Sequence, residues 1–423
     1  MKKYSVIFER VLKKIKLSNL EEKEISKKVH KFVSKINKYK KGNYKIVIGG
    51  SFAKHTILRK KRYDVDIFVI FNKTNFPSIE LKKILKKCKI KFKILKGSRD
   101  YYQIKLDKNI IIELVPTLKI KKPDDAKNIT DISFLHIDYI LNKIKKNPRL
   151  AEEIKLAKSF CYGQSCYGAE SYIHGFSGYA LEVLISYYGS FLKFIKEASK
   201  WSSKKVIDPE KQYKNTKNIL EELNESKLFS PLVIVDPVQA SRNITAALNR
   251  EVYEFFIRSC KKFLKKPSEN FFFKQDLDIK SWKKQAKKKK LSFAHIKAKA
   301  KSSKEDIAGA KLRKLFDFMI YKLQKNGFSI EKNYFDFDEE TFDGDFYFLI
   351  KKPPKQCIIL GPPIKAPESF KKNFKKKWKN TFKSKGRLCA KTQRNICFNS
   401  FFKNFLKGRE IKEMKIKSVK IIM

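Results

Sequence analysis

A short apolar run that ends in two glycines and a serine is the feature that most constrains the fold of this chain. The run is Tyr44–Ile48, and the turn that follows it is Gly49, Gly50 and Ser51. β-Branched and aromatic residues favour a strand, and glycines let the backbone N–H groups approach a phosphate oxygen closely. The segment after Ser51 is predicted to begin a helix with an anion-favouring end, and Lys54, one turn in, is placed to reach the outer phosphates.

Two carboxylates follow in a second strand-like run. Asp64 and Asp66 are separated by one residue, so a strand puts both on one face and its apolar residues on the other. Residues two apart on a strand lie about 7 Å apart, so the two charges repel unless a cation lies between them. Mg²⁺ prefers oxygen ligands. We therefore expect a third carboxylate on a neighbouring strand. Glu113 is the candidate, because a lone acid in an apolar run is costly to bury without a partner.

The order of these motifs is more informative than any one of them. A Gly-Gly-Ser turn often arises by chance, and an Asp-x-Asp strand more often marks a solvated face than a metal site. The series of strand, Gly-Gly-Ser, helix, Asp-x-Asp strand and further acid strand resembles the polymerase-β-type nucleotidyltransferase superfamily. The chain has no Walker A or G-x-G-x-x-G loop, so P-loop and dinucleotide-binding proteins are excluded.

Downstream segments narrow the resemblance to the archaeal CCA-adding enzymes, a tRNA nucleotidyltransferase family. The resemblance is clear to about residue 275 and fainter beyond it, and it rests on residues 115–119, 134–136, 167–170, 175–182, 188–191, 235–238 and 242–243. The chain departs from the family motif twice, since Lys54 stands where Arg is usual and Glu113 where Asp is usual. Lys cannot make the bidentate contact that Arg makes, which puts the tightness of triphosphate binding in doubt.

The resemblance implies template-independent addition of C, C and A to the 3′ end of tRNA. CTP and ATP would be the substrates, pyrophosphate the leaving group, and two Mg²⁺ ions the cofactors. The implied site residues are Asp64, Asp66 and Glu113 as metal ligands, Gly50, Ser51 and Lys54 at the triphosphate, His136, Lys158 and Tyr167 at the incoming nucleotide, and Arg242, with RNA phosphate, in the choice of C or A.

Each assignment outside the acids has a structural alternative. His136 could be a hydrogen-bonded structural histidine, and Tyr167 could pack against Phe176 in the core. Lys158 is one lysine among a great many, so its role depends wholly on its position. Arg242 is more informative, because arginine is scarce in a chain dominated by lysine and indicates a geometric demand.

The composition predicts a multidomain protein with a polyanionic partner. A chain of 423 residues exceeds one compact core, and Lys+Arg outnumber Asp+Glu by 98 to 43, a net charge of +55. That charge favours nucleic acid binding, but the lysine bias could equally be background composition. We expect an α+β protein with a polymerase-β-like nucleotidyltransferase head (1–140), a mainly helical central domain (141–272) and a basic α+β body and tail (273–423) that binds tRNA.

Periodicity gives a coarse map of the secondary structure. Helical spacing covers residues 5–38, with a break at Ser18 or Asn19, and most of 131–266. Further helices are expected at 78–87, 304–326 and 367–383. Strands are expected at 44–48, 65–71, 90–95, 101–106, 110–115, 232–235, 291–297, 346–350 and 356–360.

Cysteine content and hydropathy limit the class of protein. Seven cysteines include no C-x-x-C pair, so neither a zinc site nor a disulfide framework is expected, and Cys161 and Cys166 are interpreted as packing residues. No apolar stretch approaches the ~20 residues of a membrane span, and the N-terminal segment lacks a signal peptide's apolar run. We expect a cytoplasmic protein.

The expected partners are the tRNA acceptor stem and 3′ end, ATP and CTP, with a homodimer left open. Trp282, Trp378 and many Phe residues lie among lysines in the third region, where they could stack on bases or form a core. Two other functions stay open: a poly(A)- or oligoadenylate-type transferase, and a catalytically idle RNA-binding protein.

Overall fold

A computed structural model describes residues 2–38, 44–223, 228–302, 304–353, 356–393 and 398–422. It contains two compact units. The first comprises Met1–Ala169 and Ile173–Gln275, and the second comprises Glu170–Tyr172 and Asp276–Met423. Every helix in the described part of the chain is too short or too polar to cross a membrane.

The first unit begins with two helices, α1 (Lys2–Ile15) and α2 (Asn19–Asn37). Ser18 separates them as the N-cap of α2, where its side chain accepts from the Glu21 backbone N–H and the Glu21 carboxylate reaches back to the Ser18 N–H. This capping box satisfies N–H groups that a helix start otherwise leaves unpaired. The predicted break at Ser18 is confirmed.

A five-stranded mixed sheet follows the two helices. Its strands and the helices between them are β1 (Tyr44–Ile48), α3 (Gly50–Ala53), β2 (Tyr63–Phe71), α4 (Pro77–Lys87), β3 (Lys93–Leu95), β4 (Tyr101–Lys105) and β5 (Ile110–Leu118). The order across the sheet is β1-β2-β5-β4-β3. β2 and β5 run parallel, and the other neighbours run antiparallel. The predicted mixed sheet is confirmed, although β3 begins three residues later than the predicted run at 90–95.

The two faces of β2 have different neighbours. Val65, Ile67 and Val69 are fully buried in a core that includes the apolar side of α2. On the opposite face, Phe68 and Ile70 pack with Ile137, which lies on α5 (Ser133–Lys146). The alternation expected for β2 is therefore confirmed, and α5 covers the acid-bearing face beyond the carboxylates.

Helices dominate the rest of the first unit. They and two short strands are α6 (Leu150–Gly163), α7 (Gly178–Tyr188), α8 (Phe191–Ala198), β6 (Lys205–Ile207), α9 (Thr216–Glu222), β7 (Leu232–Ile234) and α10 (Arg250–Lys265). The long apolar run at 176–195 splits into α7 and α8 at Gly189, whose φ of 80° ends α7 in a left-handed conformation. Phe160 lies in the core of this unit. Its ring centroid is 5.6 Å from the ring centroids of both Phe191 and Phe263. Cys161 and Cys166 are fully buried in that core, as predicted.

The second unit contains two antiparallel sheets and five helices among its described residues. The elements are α11 (Ile279–Lys288), β8 (Ser292–Ala300), α12 (Glu305–Lys325), β9 (Ser329–Asp338), β10 (Asp343–Lys351), β11 (Gln356–Pro363), α13 (Glu368–Lys377), β12 (Thr381–Ser384), β13 (Arg387–Gln393), α14 (Phe398–Leu406), α15 (Arg409–Glu413) and β14 (Ile416–Ile421). The sheet orders are β14-β8-β10-β9 and β11-β13-β12. Phe316 of α12 packs on Phe346 and Phe348 of β10.

The predicted helix at 367–383 is wrong over its last residues. The helix ends at Lys377, the backbone of Trp378 is extended, and residues 381–384 form β12 against β13. Thr381 and Phe382 have strand propensity, and pairing with a neighbouring strand outweighs the helical spacing of the lysines. The sequence map also omitted β9, β13 and β14.

Candidate active site

The Gly-Gly-Ser turn lies directly against the acid strand. The Gly49 N–H donates to the Asp66 carbonyl oxygen at 2.8 Å. Gly50 has a φ of +61°, and a Cβ at this position would lie 1.7 Å from an Asp66 carboxylate oxygen. Only glycine satisfies both demands, because other residues resist this backbone region and carry the atom that would clash. The turn therefore packs against the Asp66 carboxylate at Gly50.

The helix after this turn is shorter than predicted. α3 is a single turn from Gly50 to Ala53, and Lys54 follows as its C-cap residue. One turn aligns only a few peptide dipoles, so the expected anion-favouring helix end is reduced to local backbone N–H groups. Lys54 itself is buried rather than extended toward solvent.

The three predicted acids share one face of two adjoining strands. Asp66 of β2 is directly opposite Glu113 of β5 in the parallel register, and Asp64 lies two residues earlier on β2. On the far side of Glu113, the Gln103 amide of β4 donates to its carboxylate at 3.3 Å. Asp107, the acid that precedes β5 in the chain, has other partners. It pairs with Lys28 at 2.6 Å and accepts from the backbone N–H groups of Asn109 and Ile110.

The environment of the acids fits a divalent cation. Burial raises the pKa of Asp66 to about 6, with the nearby Asp64 adding to the effect and Lys54 opposing it. Burial also raises the pKa of Asp64. A cation would favour the ionised forms, and all the donors are oxygens, as Mg²⁺ requires. Among the described residues, no group of three His, Cys, Asp or Glu side chains is placed to hold a metal ion as it stands.

A second cluster buries two lysines around one glutamate. Lys54 Nζ lies 2.5 Å from Glu182 Oε2, and Lys158 Nζ lies 2.7 Å from Glu182 Oε1. Thr56 Oγ1 accepts from Lys158 at 2.9 Å and donates to Glu182 Oε1 at 3.2 Å. All four side chains are buried. The structure thus brings together two lysines with separate predicted contacts: Lys54 with the triphosphate and Lys158 with the incoming nucleotide.

A third cluster joins His136 to Arg242 through a buried aspartate. Asp236 Oδ2 lies 2.9 Å from His136 Nε2 and 3.0 Å from an Arg242 guanidinium nitrogen. The Tyr179 hydroxyl donates to the other Asp236 oxygen at 3.0 Å, and its ring centroid lies 4.3 Å from that of His136. Burial works to raise the pKa of Asp236, but His136, the Val238 N–H and Arg242 together outweigh it and hold that pKa below its ordinary value. Both interpretations of His136 stay open, since it is hydrogen-bonded and partly exposed.

Tyr167 has features of both its predicted roles. Its backbone pairs with Phe176, and its ring packs against the aromatic core. Its hydroxyl lies 3.1 Å from the Cβ position of Gly178, and Lys158 Nζ lies 3.8 Å from the same point. The hydroxyl and the ammonium therefore lie near each other at the start of α7, and the nucleotide contact stays a prediction.

Sequence reasoning missed the two anions that organise these clusters. Glu182 is a single acid within the apolar residues of α7, the same signal that singled out Glu113. Asp236 follows the buried strand β7 and precedes a proline. An isolated acid in an apolar setting needs a partner, and that signal could have found both.

Comparisons with known proteins agree with this arrangement. The family described as tRNA nucleotidyltransferase, second domain, matches residues 152–273. The family described as Second Messenger Oligonucleotide or Dinucleotide Synthetase domain matches residues 1–133. The CCA-adding enzyme of Nanoarchaeum equitans is 32% identical over 350 residues, 82% of this chain and 84% of that protein. The Methanocaldococcus jannaschii CCA-adding enzyme is 28% identical over 95% of this chain and 90% of that protein.

Solved structures give the same class of fold. A cytoplasmic RNA terminal U-transferase aligns with a TM-score of 0.52 at 14% identity, covering 66% of this chain and 100% of that one. A Cid1 structure described for its RNA terminal uridylyl transferase activity has a TM-score of 0.53 at 12% identity, with coverage of 65% and 99%. Together with the family match over residues 1–133, these neighbours show a polymerase-β-like nucleotidyltransferase fold. Identity over most of both chains makes the assignment narrower: the chain belongs to the family of CCA-adding enzymes.

Proposed function

We propose that this enzyme adds C, C and A to the 3′ end of tRNA without a nucleic acid template. The 3′-hydroxyl of the RNA attacks the α-phosphate of CTP or ATP, and the bond to pyrophosphate breaks. The observation that carries the proposal is the Gly-Gly-Ser turn packed against Asp66, with Glu113 in register on the next strand. The family membership and the match of its second domain to residues 152–273 support the choice of tRNA.

Asp64, Asp66 and Glu113 are the proposed holders of divalent ions. Nucleotidyltransferases typically use divalent metal ions, and the all-oxygen donor set favours Mg²⁺. When bound, such ions lower the pKa of an attacking hydroxyl and offset charge on the triphosphate. The Gln103 amide helps to orient Glu113, and the main chain of Gly49 keeps β2 in register with the turn.

The triphosphate and the base are proposed to contact different clusters. Gly50 and Ser51 offer backbone and hydroxyl donors beside Asp66, and Lys54 and Lys158 supply positive charge near them. His136 and Tyr167 are proposed at the nucleotide, and Arg242 at the choice of base. The ion pair with Asp236 holds the Arg242 guanidinium in a fixed orientation. Its N–H donors then suit recognition of a base by charge-assisted hydrogen bonds.

The basic second unit is proposed to bind the tRNA acceptor stem through phosphate contacts. α13 carries exposed lysines at residues 372 and 375–377. Trp282 is partly buried and lies under Lys332 at 5.7 Å, and Trp378 is partly buried at the end of α13. This packing favours a supporting role for both tryptophans over open stacking surfaces.

Sequencing of reaction products tests the proposal. Purified protein is incubated with tRNA transcripts that end before CCA, together with Mg²⁺, CTP and ATP, and the 3′ ends are read. Ordered addition of C, C and A supports the proposal. Long A tails would favour the poly(A)- or oligoadenylate-type alternative, and no incorporation with any divalent metal would contradict the enzyme assignment for this chain.

A further inference from the structure

Four buried side chains connect the Gly-Gly-Ser turn to two helices of the first unit. Lys54 and Thr56 follow α3, Lys158 lies on α6, and Glu182 lies on α7. Glu182 is 1% exposed and contacts the other three. A buried carboxylate on α7 with three partners on two other segments is a geometric constraint, because moving any of these three segments breaks a charge-assisted contact.

The charges in this cluster do not cancel. Two ammonium groups share one carboxylate, so the cluster carries one excess positive charge in a buried setting. Burial lowers the pKa of Lys54, Lys158 lowers it further, and Glu182 opposes both effects. Burial works to raise the pKa of Glu182, but the two lysines outweigh it and hold that pKa below its ordinary value. Glu182 therefore counteracts the effect of burial on the Lys54 ammonium group.

Each ammonium group retains donors beyond its contact with Glu182. An ammonium has three N–H donors, of which Lys54 directs one to Glu182, whereas Lys158 directs one to Glu182 and one to Thr56. Lys158 Nζ lies near the start of α7, and both lysines act electrostatically on Asp66. The remaining donors and the excess charge thus lie beside the proposed nucleotide site.

We propose that Glu182 is a positioning residue that fixes Lys54 and Lys158 as a paired cationic clamp for the nucleotide triphosphate. The inference rests on the proposed function for its ligand, a nucleoside triphosphate. Glu182 does not touch the substrate. It holds two flexible side chains in one orientation, so that less conformational entropy is lost when the triphosphate binds.

Glu182→Gln is the direct test, because the amide preserves shape and removes the charge. The dissociation constant of ATP with Mg²⁺, measured by calorimetry, should rise by at least about tenfold, since the amide cannot make the charge-assisted hydrogen bonds of the carboxylate. The affinity for tRNA should not change. Glu182→Asp retains the charge and should recover part of the ATP affinity. Glu153→Gln is the matched control: Glu153 lies on α6 and accepts from the Phe191 N–H at the start of α8, a structural contact. That control should lower the melting temperature without changing ATP affinity.

Thr56→Val tests the same clamp if Glu182→Gln does not fold. Valine matches threonine in shape and removes the acceptor for Lys158, so the ATP dissociation constant should rise by about threefold. A folded Glu182→Gln variant that binds ATP as tightly as the wild type would overturn the inference. If Glu182→Gln is unfolded, a Thr56→Val variant that binds ATP as tightly as the wild type would overturn it. A wild-type chain that binds ATP but adds no CCA would contradict the proposed function. The inference about Glu182 would then still be tested by the ATP dissociation constants of the variants. A wild-type chain that does not bind ATP would overturn both.

Discussion

Glu113 is the residue whose identity decides the chemistry of the acid face. Its carboxylate lies between Asp66 on one neighbouring strand and Gln103 on the other. A structural acid in that place would need only hydrogen bonds, whereas a metal ligand needs its charge. The family motif usually has the shorter aspartate here, so the longer glutamate must reach the same point with one more rotatable bond.

Glu113→Gln is expected to lower turnover by roughly two to three orders of magnitude, each tenfold being about 1.4 kcal/mol of barrier. The amide retains the shape but loses the charge that would hold an ion. Glu113→Asp should retain partial activity, and tRNA binding should be unaffected in both variants. Single-turnover rates measure the difference. Near wild-type turnover by the Gln variant would show that Glu113 is not the third metal ligand. Asp107 would not take its place, because its carboxylate already pairs with Lys28 and accepts from the backbone at the start of β5.

At the residue scale, local spacing predicted which strand face carries the acids, but it did not predict the contacts that hold the candidate side chains. Asp64 and Asp66 are two apart on a strand, and that spacing alone fixes their common face. The pairing of Lys54 with Glu182 joins residues 128 positions apart in the chain, which no local pattern encodes. As a result, the lysine that was expected to reach the outer phosphates is buried against the Glu182 carboxylate.

At the scale of elements, the contact between α3 and β2 depends on Gly50. Its positive φ and the 1.7 Å approach of Asp66 to its Cβ position are separate demands. Alanine there should strain the turn by roughly 1–2 kcal/mol and also displace the Asp66 carboxylate. Gly50→Ala is therefore expected to lower both the melting temperature and turnover, the latter by at least about tenfold.

Gly189→Ala is the matched control for Gly50→Ala. Gly189 also has a positive φ, +80°, but a Cβ there meets nothing within 4 Å. It should show the backbone strain as a lower melting temperature and leave turnover unchanged. Equal activity losses in the two variants would show that the loss follows from reduced stability rather than from displacement of Asp66.

Element boundaries were predictable where a single local signal dominates. Ser18 marks the start of α2 by a capping box, and β1 begins and ends where the sequence predicts. The end of α13 was predicted wrongly, because the helical spacing of the lysines continues past Lys377 while residues 381–384 pair with β13 as a strand. Of the other omitted strands, β14 pairs with the distant β8, whereas β9 pairs with the next strand in the chain, β10.

At the scale of the whole molecule, the net charge of +55 has two explanations that salt dependence can separate. If α13 contacts tRNA phosphates, replacing its exposed lysines 372 and 375–377 by glutamine should weaken tRNA binding. It should also flatten the plot of log affinity against log salt, by up to about 0.9 for each phosphate that the variant no longer neutralises. ATP affinity should not change, since the proposed nucleotide site lies in the first unit.

The control for that experiment removes the same number of charges elsewhere. Lys86, Lys87, Lys89 and Lys91 are exposed lysines at the end of α4 and just beyond it. Their replacement should leave the salt dependence unaltered. Equal effects from the two sets would assign the charge to background composition rather than to a specific surface.

The order and the end point of nucleotide addition distinguish a CCA-adding enzyme from other nucleotidyltransferases. Four tRNA transcripts, ending before CCA, after C, after CC and after CCA, are incubated separately with Mg²⁺, CTP and ATP, and their 3′ ends are sequenced. We expect that each transcript gains only its missing nucleotides and that the complete one gains none. Continued addition of A beyond the first, or incorporation that ignores the starting end, would contradict the proposed function.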